Sequence, residues 1–177
     1  MEKIDGGEIE IDEAKADRSR IFFLETSNYF YPRVTGGEFL SLFRGENQDY
    51  STETLQDLFN LPLDDLVDNY STGMKKKLAI MGMLKSGRDV LLMDEPFNGL
   101  DLESARILTL IIRKLQSKGK TILLSSHILE TLTESCDQIH VLSEGQFQRS
   151  VDRKDFEEFE KSFFKDFDES VHKKLDG

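Results

Sequence analysis

From Val90 to Asp101 the chain reads VLLMDEPFNGLD, with apolar residues running straight into two adjacent carboxylates, a proline and a turn. If the apolar run is a buried strand, its end carries the means for chemistry. One acid, Asp94, can hold a hydrated magnesium ion, which prefers oxygen ligands and keeps several of its waters. The next, Glu95, can accept a proton from an attacking water. Nucleotide hydrolysis needs that division of labour, and the carboxyl ends of strands in an open parallel sheet line the crevice where ligands bind. Two acids alone also simply solvate the end of a strand, so the neighbouring segments decide.

Those segments are YSTGMKKKL (70–78), NGLD (98–101) and SSH (125–127). Ser71 has the type and place of a helix N-cap, and a helix N-terminus presenting Ser71 and Gly73 is also an anion site. Lys75 and Lys76 read as a solvated helix face. Asp101 reads as the N-cap of the next helix. His127 closes the apolar run after the acid-bearing one and from there could reach a γ-phosphate; His140 and His172 read as structural.

The elements that must position these groups alternate between short apolar runs and helical patterns. GEIEID (7–12) alternates like a half-exposed strand, whereas IFFL (21–24), VLLM (90–93) and TILLSS (121–126) are continuous, as strands buried on both faces are. Such runs between helices predict an α/β fold with a parallel sheet. Thr35 and Glu38 have capping-box spacing and open a helix through FLSLF. Further helices are expected over TETLQDLF, from Ser71 to just before Gly87, and from Asp101 to the Lys118–Gly119 finish. QIHVL (138–142) reads as another strand. Beyond Ser150, Phe156, Phe159, Phe163, Phe167, Val171 and Leu175 recur at three- and four-residue spacing and draw one apolar stripe on an amphipathic helix. Such a stripe is expected to pack on its own domain or to dock a partner.

Composition limits the functions available. The 177 residues suit one domain with a sizeable core, and the formal net charge of -11 excludes the basic footprint that nucleic acid requires. The single cysteine, Cys136, cannot form an internal disulfide, and no charged-then-apolar leader opens the sequence; a reducing cytoplasm is the expected setting. The longest apolar run, Leu78 to Leu84, falls well short of the ~20 residues that cross a bilayer.

Taken in order, the motifs resemble those of the ATP-binding-cassette (ABC) ATPases of bacterial-type exporters. YSTGMKKKL is similar to the signature LSGGQ, VLLMDEP to Walker B with its following glutamate, NGLD to the D-loop, and SSH to the switch-histidine loop. YPRVTGGEFL is similar to the segment after the Q-loop, so the resemblance runs from about Gly6 to Ser150. It implies a P-loop NTPase-like sheet with a helical subdomain over about residues 35–87, and a tail from 151 to 177. It also implies ATP and Mg²⁺ as cofactors, Asp94 as the metal residue, Glu95 and His127 as catalytic. Ser71, Thr72, Gly73, Met74 and Asp101 would face nucleotide across a dimer, and Lys77 matches a basic family position. The implied partners are a second ATPase subunit and integral membrane permease subunits that hold the chain at the inner face of the membrane.

Two segments depart from the family pattern. No GxxxxGK[ST] phosphate loop occurs in these residues, and MEKIDGGEIEID resembles the stretch that follows the Walker A helix. The family places the Walker A strand beside the one leading to the switch histidine, so an unpaired strand edge and poor hydrolysis by the chain alone are expected. The family's Q-loop glutamine is replaced within FLETSNYFYP, leaving Glu25 or Thr26 as its counterpart. Alternative readings are a non-catalytic donor of signature and D-loop to a complete cassette, a truncated product without function, or a non-transport ABC protein of DNA repair or translation.

Overall fold

The computed structural model describes residues 6–12, 14–15, 17–43 and 50–175; the side chains at 15, 166–170 and 173, Phe167 among them, lie outside that description. Contacts divide the chain into two compact units, Met1–Ser125 and Ser126–Gly177. No helix among the described residues is long and apolar enough to cross a membrane.

The first unit opens with β1 (Glu10–Ile11), which pairs antiparallel with β2 (Ala14–Lys15). The six-residue strand expected over GEIEID is therefore only two residues long, because its side chains are largely exposed and nothing apolar fixes the rest. Strands β3 (Ile21–Leu24), β4 (Val90–Asp94) and β5 (Thr121–Ser125) then form a parallel sheet in the order β3-β4-β5, with Leu24 opposite Met93 and Asp94 opposite Ser125. The acid-bearing strand is thus central. The expectation that all three runs are buried on both faces does not hold for the outer strands, since Leu123 of β5 is 62% and Phe23 of β3 is 44% exposed. Among the described residues β5 ends the sheet, and only its Ile122 and Leu124 face packs on the core.

Between β3 and β4 lie α1 (Gly36–Ser41), α2 (Thr52–Phe59) and α3 (Thr72–Ser86). Helix α1 starts at a full capping box, with the Glu38 N–H donating to the Thr35 hydroxyl and the Thr35 N–H donating to the Glu38 carboxylate. Ser51 caps α2 and Ser71 caps α3. Helix α3 buries residues on nearly every side from Leu78 to Leu84, as a helix through the middle of a domain must. At Gly82 a Cβ would stand 3.0 Å from the rings of both Phe39 and Phe43, so glycine lets α1 close onto it. Helix α4 (Leu102–Ser117) connects β4 to β5 and turns Leu108, Ile111, Ile112 and Leu115 into the same core, the one-face spacing of an amphipathic helix.

The second unit holds α5 (Leu129–Ser135), the antiparallel hairpin β6 (Gln138–Ser143) and β7 (Gln146–Asp152), and α6 (Phe156–Leu175). Glu144 and Gly145 both have positive φ, which a two-residue hairpin turn of this hand requires. Strand β7 runs through positions 150 and 151 to Asp152, and the division by contacts falls at Ser125/Ser126. Phe156 and Phe159 pack with Ile139 and Val151, whereas Phe163 is 48% and Leu175 76% exposed. Among its described side chains, the expected stripe is therefore buried only at its start. Twenty helical residues span about 30 Å, while a seven-residue strand reaches only ~23 Å, and the helix outruns the hairpin beneath it.

Candidate functional site

Asp94 ends the central strand with both carboxylate oxygens engaged. Oδ1 accepts from the Ser125 hydroxyl at 2.6 Å, and Oδ2 accepts from the Thr26 hydroxyl. Ser125 ends β5 level with Asp94, and Thr26 lies two residues past Leu24, the last residue of β3 paired with β4. The Ser125 hydrogen bond, then that of Thr26, holds the Asp94 carboxyl below its ordinary pKa, with Lys76 adding a smaller attraction and burial opposing. An ionised oxygen donor flanked by hydroxyls suits a hard cation. Magnesium in particular is often held by one or two carboxylates plus waters and phosphates, and among the described residues no larger His, Cys, Asp or Glu cluster exists.

Glu95 follows with φ +46°, a left-handed conformation that costs an ordinary residue about 1–2 kcal/mol. The conformation aims its N–H at the Ser125 hydroxyl, 3.1 Å away. One serine thus touches both acids, accepting from the backbone of Glu95 and donating to the side chain of Asp94. Pro96 and Phe97, both buried, are the central residues of the turn that follows, which closes through the Asn98 N–H on the Glu95 carbonyl at 3.1 Å.

Lys76 overturns its reading as part of a solvated face. It is 2% exposed, and its ammonium donates to the carbonyls of Glu25 at 3.0 Å and Thr26 at 2.9 Å, where the backbone leaves β3. Burial lowers its pKa, while Asp94 and Glu95 pull the other way. A buried cation needs such partners, since an unpaired one would shed its proton or unfold the site. Of the two candidates left open at this turn, only Thr26 sends its side chain to Asp94.

The start of α3 packs against the turn before α4. A Cβ on Gly73 would lie 2.7 Å from the Gly99 carbonyl oxygen, so this approach admits only glycine. The Ser71 hydroxyl accepts from the Met74 N–H at 3.2 Å, Thr72 is exposed, and Met74 packs half-buried on the core. Asp101 uses one oxygen to cap α4, accepting from the Ser104 N–H and hydroxyl at 2.8 Å each, and the other to pair with Lys77 at 2.8 Å. Hydrogen bonds from Lys77 and then Ser104 push its pKa far down. His127 belongs to the second unit, exposed in the turn between β5 and α5. His140 bonds the Ser150 hydroxyl through Nδ1 at 2.8 Å. Ser125 and Lys76 lie within the SSH and YSTGMKKKL segments and Thr26 is one of the two Q-loop candidates, but what their side chains do is legible only once the strands are aligned and α3 is packed.

A parallel sheet whose central strand ends on this acid pair, with a capped helix N-terminus and a glycine turn in the same unit, defines a P-loop NTPase-like α/β domain. Comparison with known proteins agrees. Residues 7–133 match a family model described as "AAA domain, putative AbiEii toxin, Type IV TA system". An ABC transporter ATP-binding protein of Nostoc sp. is 32% identical over 139 residues, covering 73% of this chain and 42% of the relative. A fluoroquinolones export ATP-binding protein of Mycobacterium tuberculosis is 33% identical over 120 residues, 66% of this chain and 40% of its own length. A solved ATP-binding subunit of an ABC transporter superposes with a TM-score of 0.72 at 27% identity, over 78% of this chain and 61% of that one. The chain belongs to this family of ATPases and is of its ABC type. It spans about two fifths of the length of those two sequence relatives.

Proposed function

We propose that the chain serves as the ATP-hydrolysing subunit of an ABC exporter, working with a second cassette and with membrane-spanning permease subunits at the inner face of the membrane. The observation that carries this reading is the pinned, ionised Asp94 beside Glu95 at the carboxyl end of the central strand. Magnesium, when bound with ATP, would neutralise phosphate charge. Asp94 would hold it, and Glu95 would take the proton of the attacking water. His127 would contact the γ-phosphate, while Ser71, Thr72, Gly73, Met74 and Asp101 would face nucleotide bound on the opposing subunit. The exporter direction is drawn from the M. tuberculosis relative's name.

The phosphate cradle must come from elsewhere than these 177 residues, so the test pairs the chain with a complete cassette. In that pair Glu95→Gln should lower turnover by ~100-fold or more while ATP still binds. Asp94→Asn should weaken magnesium dependence itself, because an amide lacks the charge a hard cation favours. The Asn defect should ease as magnesium rises and the Gln defect should not. Near-normal turnover of the Gln variant would reduce Glu95 to a structural strand end.

A second reading has its own support. The Gly73–Gly99 approach and the Lys77–Asp101 pair organise the signature and the D-loop entirely within the first unit. Those are the parts a donor in trans would need, and the chain would then stimulate a complete cassette even with Glu95 replaced.

A further inference from the structure

Lysine is almost never fully buried unless paired, yet Lys76 is, and its partners are two successive backbone carbonyls. Satisfying those carbonyls is a sufficient role for a neutral donor. Two further facts go beyond it. Thr26, whose carbonyl the ammonium holds, is the residue whose hydroxyl donates to Asp94. Lys76 also stands on α3, five residues after the Ser71 cap, so the helix that carries the signature is tied to the end of β3 by one side chain.

We propose that Lys76 is a positioning residue of the magnesium site, fixing the Glu25–Thr26 backbone so that the Thr26 hydroxyl is presented to Asp94. The proposal rests on the reading of Asp94 as the magnesium residue. It extends that reading to a path, Lys76 to Thr26 to Asp94, along which the start of α3 and the metal carboxylate keep a common geometry. Groups that orient metal ligands in this way commonly change metal affinity by 10- to 100-fold when removed, without touching the ion. Leucine or methionine in place of Lys76 would fill the space but release the turn.

The test uses the intact, nitrogen-15-labelled chain titrated with Mn²⁺, a paramagnetic stand-in for Mg²⁺. The quantity read is the Mn²⁺ concentration that half-broadens the Glu95 amide resonance. Lys76→Met and Thr26→Val should each raise it about 10-fold. The double variant should raise it no further than the larger single effect, because both changes cut one path. Asp94→Asn supplies the reference loss. If Lys76→Met leaves the midpoint at its native value while Asp94→Asn raises it, the proposal is wrong; so too if the two single effects add. No effect of Asp94→Asn would instead overturn the magnesium reading beneath it. Circular dichroism checks that each variant folds. Should Lys76→Met not fold, Lys76→Gln, which keeps a donor for one carbonyl, takes its place against the same outcomes.

Discussion

Gly73 shows how a single atom decides a sign. By helix propensity alone, alanine in the first turn of α3 would stabilise by up to ~1 kcal/mol. The Cβ would meet backbone oxygen at 2.7 Å, however, and neither side of that contact is a flexible side chain. Overpacking of this kind costs about 1–3 kcal/mol, so Gly73→Ala should lower the melting temperature, and an unchanged or raised value would refute the close approach. Asp101 gives a pH effect. Its folded pKa is depressed, so the stability it contributes is complete above the ordinary carboxylate range and is lost as pH falls through that range toward the folded value. Asn still caps a helix; Asp101→Asn therefore removes mainly the Lys77 pair. Urea midpoints of the two proteins should differ near neutral pH, converge in strong acid, and converge as well in high salt, which screens an exposed pair. The three consecutive lysines teach the limit of reading residues in a row. Successive helical positions point about 100° apart, and which of the three faces inward depends on what packs around α3 and on where β3 ends, which no local pattern contains.

At the level of elements, starts and stops were legible because they are local chemistry. Thr35 with Glu38, Ser71, Asp101 and Gly87 each satisfy or terminate a helix end with their own side chain or their own backbone freedom, and the structure has the helices there. The burial of β5 was not legible, since TILLSS has the composition of a central strand and only its neighbours decide whether it is one. Helix α5 and strand β7 went unforeseen for the opposite reason: LETLTES and QFQRSVD carry too little apolar periodicity to announce an element. The tail lies between these cases, since its period was plain but its reach over the hairpin was not. Phe159→Ala should cost about 3 kcal/mol or more, as for other buried aromatics, while Phe163→Ala should cost far less, because nearly half of that ring is already in water. Denaturant unfolding of the two variants provides the comparison, and equal losses would mean that α6 is covered along its whole length.

For the whole molecule, the three-stranded sheet, the caps and the acid pair serve one place, the carboxyl end of β4, and the strain stored there has a consequence for the protein as a material. Glu95 keeps a left-handed backbone that asparagine tolerates far better. Replacing it with Asn should therefore raise overall stability by about 0.5–1 kcal/mol, seen as a higher melting temperature; a drop would show that the glutamate side chain stabilises the fold by more than its backbone strains it. The same exchange would delete the proposed base. A laboratory selection for heat resistance alone, with no demand for turnover, would then be drawn to position 95 and would discard the acid first. On the proposed role of Glu95, hardiness and chemistry compete for this one residue.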